Sequence, residues 1–455
     1  MSSLANPVKY RQSAKLNWPL VKSTAVAGLG GLLFGFDTAV IAGATKTLTN
    51  LFHLTPALLG LTVAIALWGT ITGAILAGIP GDKYGRRDSL RGLAILFLAS
   101  ALGCAGAWSW LSFVVFRFVA GLAIGGSSVL GPMYIAEIAP AKWRGRLVGF
   151  FQFSVVFGIL LAYFSNYLIG TLSLGDCEWR WKLGISALPA VLFFVLLFQI
   201  PRSPRWLVKK GRIDEALRVL ELTGEEHANE ELDEIVESID VERAGVKPHL
   251  FSRKYRYPVF LAVTVAMFNQ LAGINSILYY LNDIFERAGF TKVSGDLQAV
   301  LIGATNLLFT MLAMSVIDRL GRKTMLLIGS VGTSLCLALV GAIFRSSTYQ
   351  HLLIWPLIGY IAFFAFSQGA VIWVYISEVF PNAVRAKGQS LGSFTHWLMT
   401  AILSWIFPLL SAHSAAVPFV FFSVMMAAQF FVVLFAFPET KGVSLEDMQK
   451  KLGIA

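Results

Sequence analysis

The sequence has few charges for its length. Of 455 residues, 37 are Lys or Arg and 26 are Asp or Glu, so only 14% are charged, whereas a soluble protein carries roughly 25%. Hydrophobic residues make up 56%, and the mean hydropathy is +0.68. A soluble fold of this size could not bury so much apolar surface beneath so few charges. The composition therefore excludes a soluble enzyme, a soluble nucleic-acid-binding protein and a secreted disulfide scaffold.

Cysteine is scarce as well, with three residues whose spacing fits neither a metal site nor a disulfide framework. The polar, basic start of the chain, Met1 to Lys22, lacks the short apolar core and small-residue cleavage site of a signal peptide. The six His and three Cys form no nucleophile–base arrangement and no metal-ligand cluster. We expect no enzymatic activity, no metal and no cofactor.

Long apolar runs are what the sequence has in abundance. A membrane-spanning helix needs roughly 20 apolar residues, and only helices or closed barrels satisfy every backbone group in lipid. The runs therefore predict an all-α membrane protein with twelve transmembrane helices in two groups of six. The windows are 23–44, 57–80, 90–107, 111–136, 147–170, 183–201, 257–281, 298–317, 324–344, 352–376, 390–411 and 416–437.

The net charge of +11 is concentrated on one side of the predicted membrane. Lys and Arg cluster in the loops after the second, fourth, eighth and tenth spans, on the same side as both termini and segment 202–256. Because basic loops remain in the cytoplasm, we expect both termini there. Membrane topology, and not nucleic-acid binding, accounts for the excess charge.

The segment 202–256 is rich in Glu, Leu and Ala, with apolar residues at helical spacing, which is typical of short amphipathic helices. We expect an N-terminal six-helix bundle over 1–201, cytoplasmic linker helices over 202–256, and a C-terminal six-helix bundle with a short cytoplasmic tail over 257–455.

The two halves repeat the same landmarks in the same order, at offsets of 236 to 241 residues. Parallel six-helix repeats around a site near the membrane midplane are a transporter architecture. The matched landmarks are Gly35-Phe36-Asp37-Thr38 with Gly273-Ile274-Asn275-Ser276, Asp82…Gly85-Arg86 with Asp318…Gly321-Arg322, Glu137 and Arg144 with Glu378 and Arg385, and Pro201 with Pro438.

These residues also carry a resemblance. The motifs are Asp82 to Arg87, Pro132-Met133-Tyr134-Ile135-Ala136-Glu137, Arg144-Gly145, Asp318 to Lys323 and Pro438-Glu439-Thr440-Lys441-Gly442. With them the chain resembles the sugar porter family of the major facilitator superfamily, which includes bacterial proton-coupled xylose and glucose symporters and animal facilitative glucose transporters. The resemblance implies a functional monomer in the plasma (inner) membrane that moves a hexose or pentose by alternating access, without a cofactor.

Two charges, Asp37 in the first span and Arg117 in the fourth, lie away from the span ends. Ionisable groups inside a membrane are costly and usually mark a pathway or a proton relay. In the resembling family, proton-coupled members carry Asp at the position of Asp37 and uniporters generally carry a neutral residue. We therefore expect proton symport through Asp37 and Arg117. A facilitative uniporter, in which the pair is only structural, stays the alternative.

A sugar site needs groups that both donate and accept hydrogen bonds, as amides do, and an aromatic ring against the C–H face. The alternative for any one amide is hydrogen bonding between helices. By resemblance, the sugar-contacting positions are Gln152, Asn269, Gln270, Asn275, Tyr279, Asn306, Trp373, His396 and Trp397.

Three positions at or beside the predicted sugar site depart from the family pattern. Asn269 replaces a Gln, His396 replaces an Asn or Gln, and Ala365 replaces an acid of the animal uniporters. A His at this position also occurs in fructose-preferring relatives, whereas Trp373 is typical of glucose and xylose transporters. The particular sugar therefore stays open.

Charged residues at the inner helix ends form the last predicted group. The family uses such clusters to hold the inner side shut in the outward-facing state, although the same charges also set membrane topology. The candidates are Arg86, Glu137, Arg144, Arg319, Arg322, Glu378, Arg385 and Glu439. Arg202 stands where the family has Glu, which predicts a weaker N-terminal gate and a larger inward-facing population.

A non-transporting sugar sensor is a further alternative, but such relatives usually carry long signalling tails.

Overall fold

The computed structural model describes residues 16–244, 249–346, 348–443 and 445–452. Within these ranges the regular structure is entirely helical. Twelve helices within the described ranges are long and apolar enough to cross a membrane, as the sequence predicts: Trp18–Gly43, Pro56–Leu76, Arg86–Ala105, Trp110–Ile138, Ala141–Thr171, Gly175–Leu196, Arg253–Tyr279, Lys292–Leu320, Arg322–Ser346, Gln350–Val379, Val384–His413 and Val417–Ala436.

Most spans extend beyond their predicted windows, and the sixth differs in register. It runs over Gly175–Leu196 and not over 183–201. Its early turn contains Glu178 and Lys182, which are paired and buried, so these charges do not keep the segment out of the helix. Irregular backbone after Leu197 leads to Pro201 and to Pro204, where proline disfavours helix in the preceding residue.

The segment between the sixth and seventh spans contains short helices, as predicted: Pro204–Lys209, Ile213–Leu222 and Ala228–Ala244. Trp206, Leu207 and Leu220 belong to a small apolar cluster that joins these helices. The apolar faces of these helices pack against one another and form a core that is separate from the core of the membrane spans. The exact division of the chain at 201 and 257 stays a prediction.

The sequence repeat is visible in backbone geometry. Gly85 and Gly321 have φ values of 90° and 91°, in the region that side chains with a Cβ rarely adopt. Each lies immediately before a span, where the chain turns sharply into the next helix. Tyr134 donates to the carbonyl of Pro201 at 2.8 Å, and its counterpart Tyr375 donates to the carbonyl of Pro438 at 3.2 Å.

We call the first six spans the first half and the last six the second half. The basic end is the end of the bundle that carries the Lys- and Arg-rich loops and segment 202–256, and the far end is the opposite one. Polar contacts join the halves at the far end: Thr45 with Asp283, Lys46 with Glu286, Tyr163 with the carbonyl of Leu278, Lys182 with Asp296, Lys292 with Glu178, and Trp405 with the carbonyl of Ala57.

Candidate functional site

A cavity of about 140 Å³ lies between the halves. Spans one, five, seven, eight, ten and eleven form its walls. Eight of the nine predicted sugar-site residues line it: Gln152, Asn269, Gln270, Asn275, Asn306, Trp373, His396 and Trp397. The first half contributes Gln152, and the second half contributes the others. A ligand in this cavity would therefore contact both halves.

The seventh span is interrupted beside the cavity, which explains why it supplies three of these residues. Its helix ends at Leu271 and resumes at Ile274. Gly273 has φ 82°, and a Cβ there would lie 2.3 Å from the ring of Phe422, so only glycine fits. Irregular backbone at membrane depth occurs where it lines a cavity. The break places Gln270 and Asn275 on the cavity wall.

The amides of the seventh span are connected to one another. Gln270 Nε2 donates to Asn269 Oδ1 at 2.9 Å, and Asn275 Nδ2 donates to Gln270 Oε1 at 3.0 Å. Asn269 Nδ2 in turn donates to the carbonyl of Gln368 at 3.1 Å. These hydrogen bonds fix the amide planes before a ligand binds. Such a preorganised set of donors and acceptors reduces the ordering cost of recognition.

Aromatic rings complete the cavity wall. The ring centroids of Trp373 and His396 are 5.1 Å apart, and those of His396 and Trp397 are 4.9 Å apart. Gln270 Nε2 lies 3.3 Å from the His396 ring nitrogens. Because this amide nitrogen is a donor, the ring nitrogen that it meets must accept. His396 is therefore placed to accept a hydrogen bond from Gln270.

Tyr279 is the predicted sugar-site residue that the structure places elsewhere. It lines a separate small cavity with Asp37 and Arg117. The helix beginning at Ile274 ends at Tyr279, so the side chain follows the break at Gly273 and points towards the first span. In this conformation Tyr279 does not line the central cavity and belongs to the surroundings of the buried ion pair; its place beside the sugar stays a prediction.

Asp37 and Arg117 are in contact, as their similar predicted depth suggests. Arg117 Nη1 donates to both carboxylate oxygens of Asp37, each at 2.9 Å. The side chains are 14% and 2% exposed. Arg117 Nε is buried and has no hydrogen-bond partner among the described residues. The Arg117 guanidinium therefore keeps an N–H, that of Nε, which the contact with Asp37 does not use.

The ion pair and the central cavity share a wall. The small cavity has a volume of about 10 Å³, near the lower limit for one water. Phe34, Thr38 and Trp397 line both cavities. A change at the central cavity that moves these side chains would therefore also change the environment of Asp37.

Sequence reasoning missed Thr38 and Thr310, which also line the central cavity. Threonine in a membrane helix commonly bonds to its own backbone, as Thr38 does to the carbonyl of Phe34 at 2.8 Å. The signal available in the sequence was the position of each threonine relative to a predicted site residue. Thr38 follows Asp37, and Thr310 lies one helical turn after Asn306, on the same face.

At the basic end, the predicted charged clusters form within each half. Arg86 lies 2.9 Å from Glu137 and 3.1 Å from Asp82. In the second half, Arg322 donates to both oxygens of Glu378, at 2.8 and 3.1 Å, and lies 2.9 Å from Asp318. These matching clusters join neighbouring spans of one half.

Four predicted gate residues have contacts other than a salt bridge between spans. Arg144 reaches Glu231 of a linker helix at 3.4 Å and the carbonyl of Ala139 at 3.2 Å. Arg385 donates to the carbonyl of Phe380 at 3.4 Å. Arg319 offers its backbone carbonyl to Lys441.

Glu439 is the fourth. It accepts the backbone N–H groups of Arg322 and Lys323 at 2.9 and 3.0 Å. Burial raises the pKa of this carboxyl, but the backbone donors, including those of Thr440 and Lys441, outweigh burial, and the net pKa is lowered. Glu439 therefore caps the start of the ninth span electrostatically.

Twelve membrane-crossing helices around a polar cavity, with a buried ion pair beside it, define a multi-span membrane transporter. Residues 23–452 match the profile of the family described as "Sugar (and other) transporter", and the chain belongs to this family. It is 36% identical to the D-xylose-proton symporter of Escherichia coli (strain K12), with 94% of each chain covered. It is 36% identical to the arabinose-proton symporter of Bacillus subtilis (strain 168), with 97% of each covered.

Solved structures give the same fold. The inward open conformation of the xylose transporter XylE from E. coli has a TM-score of 0.84 at 34% identity, covering 95% of this chain and 99% of that one. The proton:xylose symporter XylE bound to 6-bromo-6-deoxy-D-glucose has a TM-score of 0.76 at the same identity and coverage. In this chain, polar contacts between the halves hold them together at the far end.

Proposed function

We propose that this protein is a monosaccharide–proton symporter that works by alternating access. The observation that carries the proposal is the shared wall between a buried Asp37–Arg117 pair and a cavity of amides and aromatic rings. The relatives named as xylose-proton and arabinose-proton symporters support both substrates.

The cavity chemistry favours a sugar. Hydroxyl groups donate and accept, and the amides of Gln152, Gln270 and Asn306 do likewise. Trp373 offers an apolar face for the C–H side of a pyranose ring. Charged side chains are missing from the cavity lining given by the described residues, which disfavours an ionic substrate.

The ion pair provides the proton site. A carboxylate that contacts a guanidinium keeps its charge, whereas a buried carboxylate that loses this partner takes up a proton. A conformational change that separates Asp37 from Arg117 would therefore couple proton binding to the conformation. Sugar binding between the halves would favour that change through the shared wall of Phe34, Thr38 and Trp397.

We further propose that the basic end faces the cytoplasm, by the distribution of Lys and Arg. The far end then faces outwards, both termini are cytoplasmic, and the protein works as a monomer in the plasma (inner) membrane. In this assignment the present structure is inward-facing, and the sugar leaves through the basic end.

Uptake into proteoliposomes tests the proposal. We expect at least one of glucose, xylose, galactose and fructose to accumulate against its own gradient when an inward proton gradient is imposed. Collapsing the proton gradient should reduce the internal sugar to its equilibrium level. Equal uptake with and without the gradient would show a uniporter, with Asp37 and Arg117 as a structural pair.

A further inference from the structure

Four charged side chains meet between the halves at the far end. Glu178 and Lys182 belong to the sixth span, and Lys292 and Asp296 begin the eighth. Lys182 Nζ lies 2.9 Å from Glu178 Oε1 and 3.2 Å from Asp296 Oδ2. Lys292 Nζ lies 2.8 Å from Glu178 Oε2. Each half thus offers one acid and one base, and the two ion pairs that cross the seam have opposite polarity.

The four side chains of the cluster differ in their exposure to solvent. The side chains of Lys182 and Asp296 are 0% and 1% exposed, whereas Lys292 is 54% exposed. Charges are tolerated in such burial only when they are paired and hydrogen-bonded. Closure of the seam gives Asp296 its cationic partner, Lys182, and gives Lys182 a second carboxylate beside that of Glu178.

Each half also keeps a partner for its buried charge. Lys182 and Glu178 are four residues apart on one helix, so they stay together if the halves separate. Asp296 accepts a hydrogen bond from Asn282, which lies in its own half. Opening the far end would therefore exchange the inter-half pairs for water and for these local partners.

Alternating access requires that the far end open, and this cluster lies across the seam that must part. We propose that Glu178, Lys182, Lys292 and Asp296 form a latch that holds the far end closed and breaks at each opening. The inference rests on the alternating-access function proposed above. It assigns a conformational role to residues away from both the sugar cavity and the Asp37 site.

The latch predicts in which direction substitutions shift the equilibrium between a closed and an open far end. Lys182→Met leaves Asp296 buried without its cation in the closed state, whereas in the open state water solvates it. The variant should shift the equilibrium towards an open far end by about tenfold or more. Adding Asp296→Leu removes the stranded charge, so the double variant should return towards closure. Reversing all four charges (Glu178→Lys, Lys182→Glu, Lys292→Glu and Asp296→Lys) restores both pairs and should restore closure as well.

Distances between spin labels at Trp108→Cys and Trp355→Cys, in a background in which the free cysteines Cys104, Cys177 and Cys336 are replaced by Ser, would report the far end. Trp108 and Trp355 are 79% and 67% exposed and lie on opposite halves. The matched control is Arg180→Met, two residues from Lys182, because Arg180 donates to the carbonyl of Ala105 within its own half. We expect a larger long-distance population in Lys182→Met and a distribution like wild type in Arg180→Met.

Two results would overturn the latch. The first is a distance distribution that is the same in Lys182→Met as in Arg180→Met, while wild type interconverts between two distances. Alternating access would still hold in that case, but the latch would not. The other is the same long-distance gain in Lys182→Met and in Lys182→Met/Asp296→Leu, because a stranded charge would then not be the cause. A single distance in wild type at every pH and sugar concentration would instead contradict the proposed transport cycle, and the latch with it.

Discussion

The hydroxyl of Thr45, in the first half, donates a hydrogen bond to the carboxylate of Asp283, in the second half, at 3.0 Å. Asp283 lies just beyond the seventh span at the far end. Burial raises its pKa to about 6, opposed by the Thr45 hydrogen bond and by the charges of Arg287 and Lys46, while Glu286 adds to the rise. We therefore expect Asp283 to bind a proton more strongly when the far end is closed than when opening hydrates this carboxyl.

This relationship predicts a pH dependence of far-end opening. A hydrated Asp283 in the open state would return towards its ordinary pKa of 3.8. Between about pH 6 and pH 4 the closed state then binds a proton that the open state does not. Acidifying the far side from pH 7.5 to 5 should stabilise closure about tenfold. Spin-label distances in an Asp37→Asn background would measure this, since that background removes the proposed proton site.

Asp283→Asn is the test variant, because an amide still accepts from Thr45 but does not titrate. We expect its distance distribution to change less between the two pH values than that of the Asp283-containing protein. A pH response as large as that of the Asp283-containing protein would assign the effect to another group.

Gln270→Ala should weaken sugar binding selectively. Gln270 contacts Asn269, Asn275 and His396 and lines the central cavity. Each lost hydrogen bond costs about 0.5–1.5 kcal/mol, so the KM for sugar should rise about tenfold or more. The control is Gln429→Ala, which removes a buried Gln outside the cavity lining. Similar KM changes in the two variants would argue against a sugar site around Gln270.

The predicted weakness of the gate at the basic end can be tested at Arg202. Its guanidinium lies 3.0 Å from Asp88 and stacks over Trp206. Arg202→Glu would remove the cation that pairs with Asp88 and would restore the acid of the family pattern near Arg87. It should strengthen closure of the basic end, so the population closed at the far end should fall. Arg202→Gln, which only removes charge, should have a smaller effect. Labelling of a cysteine in the central cavity from the basic side would report the change, and equal labelling rates in all three proteins would refute it.

Much of the fold and part of the site follow from the sequence because the membrane limits the alternatives. Apolar runs have to be helices, and landmarks repeated at constant offset have to occupy equivalent places. Asp37 and Arg117 pair because they are the interior charges of the first half at one depth. Amides inside apolar spans turn away from lipid, either to the cavity, as Gln152 does, or to another helix, as Asn166 does with the carbonyl of Val40 at 3.1 Å.

The remaining features depend on angles and distances that a sequence pattern does not contain. Tyr279 changes face because the helix breaks at Gly273, and periodicity does not give the angle after a break. Lys182 and Asp296 are 114 residues apart, and charges near helix ends have an ordinary explanation in topology. Their i,i+4 spacing with Glu178 and Lys292 was a signal, but only the packed halves show that the two pairs meet.

The central claim is that Asp37 binds the proton that moves with the sugar. The most direct test is the proton flux that sugar evokes in proteoliposomes, measured with a trapped pH indicator for wild type and for Asp37→Asn, alongside sugar exchange at equal concentrations. We predict sugar-evoked acidification of the vesicle lumen in wild type, and in Asp37→Asn a loss of this signal while exchange persists. Undiminished proton flux in Asp37→Asn at the same exchange rate would contradict the account.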